Sequence, residues 1–93
     1  MRTIERSTAF RRDYRRIKPT PRYRNIDAPL AAVIRLLVDD QPLPPANRDH
    51  ALTGNWAGYR ECHIRPDLLL IYGKPDGETL RLVRLGSHSD LFG

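Results

Sequence analysis

The hydrophobic pattern of this chain changes its period once, near residue 52, and that change limits the folds open to it. Before it, apolar residues recur at the spacing of amphipathic helices in two segments. After it, they alternate or run continuously, as in strands, in three segments separated by turn residues. A short strand is also predicted within residues 1–6. This order indicates an α+β fold, in which a small, mainly antiparallel sheet packs against two N-terminal helices as one domain over residues 1–93.

Two amphipathic helices are predicted in the first half of the chain. Ser7 is a suitable N-cap for the first, whose buried stripe at i, i+4 and i+7 is formed by Phe10, Tyr14 and Ile17. Two prolines in segment 18–24 then end this helix. Asp27 is predicted to cap the second helix, which should stop near residue 39 and present to the core Leu30, Val33, Ile34 and Leu37. The proline-rich segment that follows is predicted to be an extended loop ending at His50.

The second half of the chain predicts a meander of three strands. A turn around Trp56 precedes the first strand, Tyr59–Ile64. Within it, Cys62 is expected to be a small buried side chain rather than a nucleophile. Leu68–Tyr72 is apolar throughout, as expected of a central strand that is buried on both faces. A hairpin turn then leads to the third strand, Thr79–Leu85.

Positive charge is concentrated at the start of the chain. Residues 1–24 hold nine basic and two acidic residues, whereas the rest of the chain holds seven basic and nine acidic ones. This favours a polyanionic partner, and nucleic acid rather than a membrane, because no large apolar face accompanies the charge. No apolar run is long enough to span a bilayer, so a soluble, cytoplasmic protein is expected. The residues predicted to contact nucleic-acid phosphates are Arg11, Arg12, Arg15, Arg16, Lys18, Arg22 and Arg24.

The groups able to do chemistry lie in the second half of the chain, and they are His50, His63, Asp67, Arg84, His88 and Phe92. Imidazoles exchange protons at neutral pH and a guanidinium can stabilise charge on phosphorus, so the set suits acid–base cleavage of a phosphodiester without a metal or cofactor. A zinc site would lack a short ligand pair, and a serine triad would lack a nucleophile elbow around Ser87 or Ser89. Purely structural roles for single members of the set stay open.

Two segments resemble the YafQ branch of the RelE/ParE toxin superfamily. They are LTGNWAGYRECHIRPDLLLIY, residues 52–72, and LVRLGSHSDLFG, residues 82–93. The resemblance implies a RelE-like fold and a toxin of a type II toxin–antitoxin pair that cuts mRNA in the ribosomal A site. It also implies ribosomal and messenger RNA as partners of the basic residues. The other implied partner is an antitoxin, for which we expect an acidic or amphipathic segment that covers the arginines.

The resemblance places the family's functional positions on these candidate residues. It implies that a ribose 2′-hydroxyl attacks the adjacent phosphate, which leaves a cyclic phosphate and a 5′-hydroxyl. In the mechanism that we hypothesise, His88 acts as general acid, and His50 or Asp67 as general base. Arg84 holds the phosphate and Phe92 stacks on or positions the nucleotide. His63 orients its neighbours or shares in proton transfer.

The chain departs from the family pattern in two places, and two other functions remain possible. Leu68 stands where some relatives carry tryptophan, so base stacking from that position is in doubt. The two prolines between the helices leave the ribosome contacts of that region open. One alternative is a ParE-like gyrase poison, which would not need three histidines. The other is a non-catalytic module that binds RNA or the ribosome through its arginines alone.

Overall fold

Five strands and three α-helices build the fold, with helices on both faces of a single sheet. The computed structural model describes residues 1–93. Its elements are β1 Thr3–Arg6, α1 Thr8–Ile17, α2 Asp27–Val38, β2 His50–Ala51, β3 Arg60–Arg65, β4 Leu68–Gly73, β5 Thr79–Gly86 and α3 His88–Phe92. The strand order is β1-β5-β4-β3-β2, and only the β1–β5 pair is parallel. The predicted α+β fold with a mainly antiparallel sheet is therefore confirmed.

Helix α1 begins at the predicted cap and is fastened to the sheet there. The Ser7 hydroxyl oxygen accepts a hydrogen bond from the Phe10 N–H at 2.9 Å and donates one to the Val83 carbonyl at 2.7 Å. The predicted stripe faces the core, since Phe10 and Ile17 are buried and Tyr14 is half-buried. All four arginines of the helix are exposed. The helix ends at Ile17, as the prolines after it predicted.

The prediction that Asp27 caps α2 is wrong. The residue at the cap position is Ile26, whose hydrocarbon side chain cannot accept a hydrogen bond from the first free N–H groups. Asp27 instead accepts a hydrogen bond from the Tyr14 hydroxyl and pairs with Lys18 at 3.3 Å. It therefore joins the two helices, while its charge still suits the positive end of the α2 dipole.

The prediction of an uninterrupted extended loop before His50 is also wrong. A single 3₁₀ turn occupies Pro45–Asn47, and His50 is the first residue of a strand rather than the end of a loop. In this strand, β2, His50 pairs with Glu61 and Ala51 with Arg60. A strand of two residues is too short to show a hydrophobic period, so the sequence predicted four strands where there are five.

Strand β4 is the central strand of the sheet and is buried on both faces, as predicted. On one face, Leu68, Leu70 and Tyr72 pack with the core residues of α1 and α2. On the other face, a smaller apolar cluster covers the sheet and is formed by Leu69, Ile71, Leu91, Leu52, Trp56, Tyr59, Val83 and Phe92. This second face holds the candidate site, because β3 and α3 place their polar side chains around the same cluster.

Cys62 is the small buried residue that the strand pattern predicted. It is fully enclosed on the face of the sheet that α1 and α2 cover. Burial raises the pKa of its thiol to about 12, so at neutral pH it carries its proton and has no nucleophilic character. The chemistry of this protein must therefore come from other side chains.

Candidate active site

A buried carboxylate between two histidines is the densest group of titratable side chains on the second face of the sheet. Glu61 Oε1 lies 3.6 Å from His50 Nε2 and 3.6 Å from His63 Nε2. The Glu61 side chain is only 7% exposed, whereas that of His50 is 53% exposed. The structure thus brings together two predicted residues, His50 and His63, through a third that the sequence reasoning missed. One signal was available, because Glu61 and His63 are two apart and must share a face of β3.

The imidazole of His50 is held in a defined tautomer. Its Nδ1 lies 2.8 Å from the carbonyl oxygen of Arg48. A carbonyl can only accept a hydrogen bond, so Nδ1 carries the hydrogen and, in the neutral ring, Nε2 carries the lone pair. Arg48 adopts the left-handed backbone conformation, with φ 48° and ψ 47°, which turns its carbonyl toward the ring. The nitrogen on the Glu61 side is therefore the one that can take up a proton.

Hydrogen bonds on both sides fix the segment that carries His50. Asp49 Oδ1 accepts a hydrogen bond from the Tyr72 hydroxyl at 2.6 Å, and its carboxylate also pairs with Arg60 at 3.3 Å. Burial, and then the bond to Asp49, raises the pKa of Tyr72, so the hydroxyl stays a donor. The Asn47 amide donates to the carbonyl of His63 at 2.7 Å. The chain from the 3₁₀ turn to β2 is thereby held against β3 and β4.

Arg84 does not point freely into solvent but is bound to an acid of α1. Its Nε and Nη2 donate to the two carboxylate oxygens of Asp13 at 2.7 and 3.2 Å. The bond to Asp13 raises the pKa of Arg84, so the guanidinium stays charged. A register shift opposite Ile71 and Tyr72 adds one residue to β5 just before Arg84, and bulges of this kind redirect a side chain. About a quarter of the Arg84 side chain, 28%, remains exposed.

The segment after β5, for which the sequence analysis predicts no helix or strand, is a short helix. Ser87 caps α3 by accepting from the Asp90 N–H, and the Asp90 carboxylate accepts from the Ser87 N–H in return. This places His88 in the exposed first turn, with its ring 5.1 Å from that of Phe92. The Phe92 ring also meets that of Trp56 edge-on at 6.3 Å. His88 and Phe92 are therefore brought together on the second face of the sheet.

Asp67 and Arg22, which were predicted to have different tasks, contact each other. Both Nε and Nη2 of Arg22 lie 2.6 Å from Asp67 Oδ2. The pair is accessible, with 69% of the Arg22 side chain and 39% of the Asp67 side chain exposed. As the structure stands, the carboxylate that was one candidate for the general base is engaged by a residue predicted to bind RNA.

The other predicted RNA-binding residues form a basic surface. Arg11, Arg12 and Arg15 are exposed along α1, and Arg24 is exposed in the segment after it. Arg16 lies 3.6 Å from Asp13 and 3.8 Å from Asp90, and Lys18 pairs with Asp27. These contacts connect the basic surface with the capped start of α3, where His88 lies.

The structure holds neither a cluster of metal-ligating side chains nor a helix suited to crossing a bilayer. No three or more His, Cys, Asp or Glu side chains are arranged so that they could hold a metal ion. No helix reaches the length and apolar character that a bilayer crossing requires.

Comparisons with known proteins agree with this architecture. The profile of the YafQ family, described as a bacterial toxin of a type II toxin–antitoxin system, matches residues 2–93. The mRNA interferase toxin YafQ of Escherichia coli (strain B / BL21-DE3) is 38% identical over 93 residues, which cover 99% of this chain and 97% of the relative. YafQ in the crystal structure of the E. coli DinJ–YafQ complex is 36% identical, with a TM-score of 0.85 over all of both chains.

A third relative is a toxin from Helicobacter pylori that was crystallised with a metal bound. It is 44% identical, with a TM-score of 0.86 over 99% of this chain and 100% of the relative.

Proposed function

Because the chain belongs to the YafQ family of bacterial toxins of type II toxin–antitoxin systems, we propose that it cleaves mRNA in the A site of the translating ribosome. Its enzyme class is that of the mRNA interferases, which are endoribonucleases. In the proposed reaction, the 2′-hydroxyl of a ribose attacks the neighbouring phosphate, and the products carry a cyclic phosphate and a 5′-hydroxyl.

The observation that best supports this proposal is the fixed tautomer of His50. Its Nδ1 is tied to the Arg48 carbonyl, so Nε2 is left to receive the proton of the attacking 2′-hydroxyl. Glu61, beside that nitrogen, stabilises the imidazolium that results. Asp67 is a weaker candidate for the base because Arg22 occupies its carboxylate. We therefore assign the role of general base to His50. His63 contacts the same carboxylate oxygen of Glu61.

The remaining steps use the groups around α3. His88 lies in an exposed first turn, where it can approach the leaving 5′-oxygen and protonate it. Arg84 stabilises the negative charge that develops on the phosphate oxygens. Phe92 presents a half-exposed ring beside His88, on which a base can stack. Each role falls to a residue on the second face of the sheet or at its margin.

The ribosome is the proposed platform because the two residues proposed to transfer protons, His50 and His88, are exposed on the surface. Three of the exposed arginines of α1, namely Arg11, Arg12 and Arg15, form no ion pair, unlike Arg16, so they are free to contact rRNA phosphates. A ribosome-bound toxin would then receive mRNA that the decoding site already holds in place.

The proposal is tested by incubating the purified protein with ribosomes stalled on a defined mRNA. We expect cleavage within the A-site codon, products with cyclic phosphate and 5′-hydroxyl ends, and the same rate with and without EDTA once the ribosomes are kept intact by added polyamines. Naked mRNA is the matched control and should be cut far more slowly. Inhibition of gyrase without any mRNA cleavage would contradict the proposal and favour a ParE-like poison.

We also propose that an antitoxin neutralises this protein by inserting an acidic amphipathic segment between α1 and α2. A groove of about 940 Å³ lies there. Its floor is apolar and includes Phe10, Leu30 and Ile34, and its walls carry four basic residues against one acid. An amphipathic helix with acidic flanks matches both the apolar floor and the charge. The E. coli relative was crystallised with DinJ, which supports a protein partner for this chain.

Replacing Ala31 with glutamate is expected to weaken antitoxin binding at least tenfold, since it narrows the groove and sets like charges against each other. Ala31 lines the groove on the exposed side of α2, so the fold should be retained. Binding is measured by calorimetry with the antitoxin, which we expect to be a small acidic protein encoded beside this gene. The matched control is Ala32→Glu, an exposed neighbour that does not line the groove. Equal affinities for the two variants would contradict this docking site.

A further inference from the structure

Asp13 is the only acid of α1 and the only charged residue of that helix that is buried. Its side chain is 7% exposed. It accepts three hydrogen bonds, two from the Arg84 guanidinium and one from the Leu85 N–H at 3.0 Å. Arg16 approaches the same carboxylate at 3.6 Å. None of the predicted roles accounts for this residue.

The place of Asp13 follows from how the edge of β5 is covered. Strand β1 ends at Arg6, and the Ser7 N–H makes the next bond, to the Leu82 carbonyl. Beyond that point α1 takes the place of a neighbouring strand, and Asp13 accepts the N–H of Leu85. A neutral acceptor could serve that N–H alone, whereas a buried carboxylate is costly unless a cation matches it. The charge of Asp13 therefore relates to Arg84 and not to the strand edge.

We propose that Asp13 is a positioning residue that holds the guanidinium of Arg84 in place for the scissile phosphate. This inference rests on the proposed cleavage reaction. The two bonds to Asp13 use Nε and Nη2 of Arg84, which leaves Nη1 to reach a phosphate oxygen. An arginine that is ordered before the substrate arrives loses less conformational freedom in the transition state.

The same helix then links docking with chemistry. The exposed side of α1 carries the arginines that are proposed to contact rRNA, and its buried side carries Asp13. Arg16 belongs to both groups, because it is half-exposed and also contacts Asp13. Binding of α1 to the ribosome thus places Arg84 relative to the mRNA through a single ten-residue helix. Arg16 also offsets part of the charge of Asp13.

A double-mutant cycle on the cleavage rate tests this role. In Asp13→Asn, one amide oxygen can still accept from Arg84 Nε and Leu85 N–H, but the partner of Nη2 is lost. In Arg84→Gln, the amide nitrogen takes the place of Nε, so Asp13 keeps a donor. We expect Asp13→Asn to lower kcat about tenfold with KM for ribosomes unchanged, and Arg84→Gln to lower kcat about a hundredfold. The double variant should match Arg84→Gln alone, because Asp13 acts only through Arg84.

The outcomes separate this inference from the proposed function. A tenfold loss from Asp13→Asn that recurs in the Arg84→Gln background, or no loss at all, would overturn the positioning role while cleavage itself stands. A wild-type protein that does not cut mRNA on ribosomes would overturn both. Melting temperatures of all variants show whether a loss of rate is merely a loss of folded protein. The matched control is Glu5→Gln, which alters another carboxylate–arginine pair of β5, Glu5 with Arg81 at 2.9 Å, and should leave kcat unchanged.

Discussion

Replacing His88 with alanine is expected to lower the rate of mRNA cleavage on the ribosome by about 10²- to 10⁴-fold, the usual contribution of a general acid. The leaving 5′-oxygen would then have to take its proton from water. The fold should be unaffected, since His88 is exposed and the cap of α3 is formed by Ser87 and Asp90. The rate is measured by single-turnover cleavage of a defined A-site codon, and loss of growth arrest on expression provides a second readout.

The matched control for this variant is Ser89→Ala. Ser89 is the neighbouring exposed residue of α3, and its side chain makes no hydrogen bond that the helix needs. We expect wild-type cleavage from it. If instead Ser89→Ala abolished cleavage and His88→Ala did not, acid catalysis by His88 would be excluded, and a serine nucleophile would have to be reconsidered.

Replacing His50 with glutamine is expected to reduce cleavage by a similar factor, about 10²- to 10⁴-fold. Glutamine is close to imidazole in size, but it offers no nitrogen that takes up a proton. The variant to compare with it is Asp67→Asn, whose cleavage rate we expect to stay within about tenfold of wild type. The exposed pair of Asp67 with Arg22 contributes little to stability, so that variant should fold normally.

The two variants together decide which residue is the base. Both are assayed on the same ribosome complex under single-turnover conditions, where substrate binding and product release do not limit the rate. A large loss in Asp67→Asn with a small loss in His50→Gln would assign the proton transfer to Asp67. Arg22 would then have to leave the carboxylate when the ribosome binds.

The parts of the fold that the sequence predicted well are those with a strong period. The apolar run of β4 and the stripe of α1 both extend over several residues, and the structure places each within one residue of its predicted bounds. Elements without room for a period were missed. Strand β2 has two residues, and α3 has five. For α3, the pair Ser87 and Asp90, spaced as in a capping box, was the only local signal.

The candidate site was harder to predict than the fold because its partners are far apart in the chain. Arg22 and Asp67 are 45 residues apart, and Arg84 and Asp13 are 71 apart. Periodicity shows which face a residue occupies but not which distant residue it meets. Glu61 was not predicted as a site residue for a different reason, since a glutamate on a strand is ordinarily solvated. Its burial follows from β2, which the sequence did not reveal.

The parallel pairing of β1 with β5 has a consequence for the synthesis of this protein. Thr3 is aligned with Thr79, and β5 lies between β1 and β4 in the sheet. Until β5 has emerged from the ribosome exit tunnel, β1 has no neighbour and α1 has no strand to cover. Pairing between segments so distant is also slow to form. Because β5 carries Arg84, the proposed active site cannot assemble on the nascent chain before β5 has emerged and paired with β1.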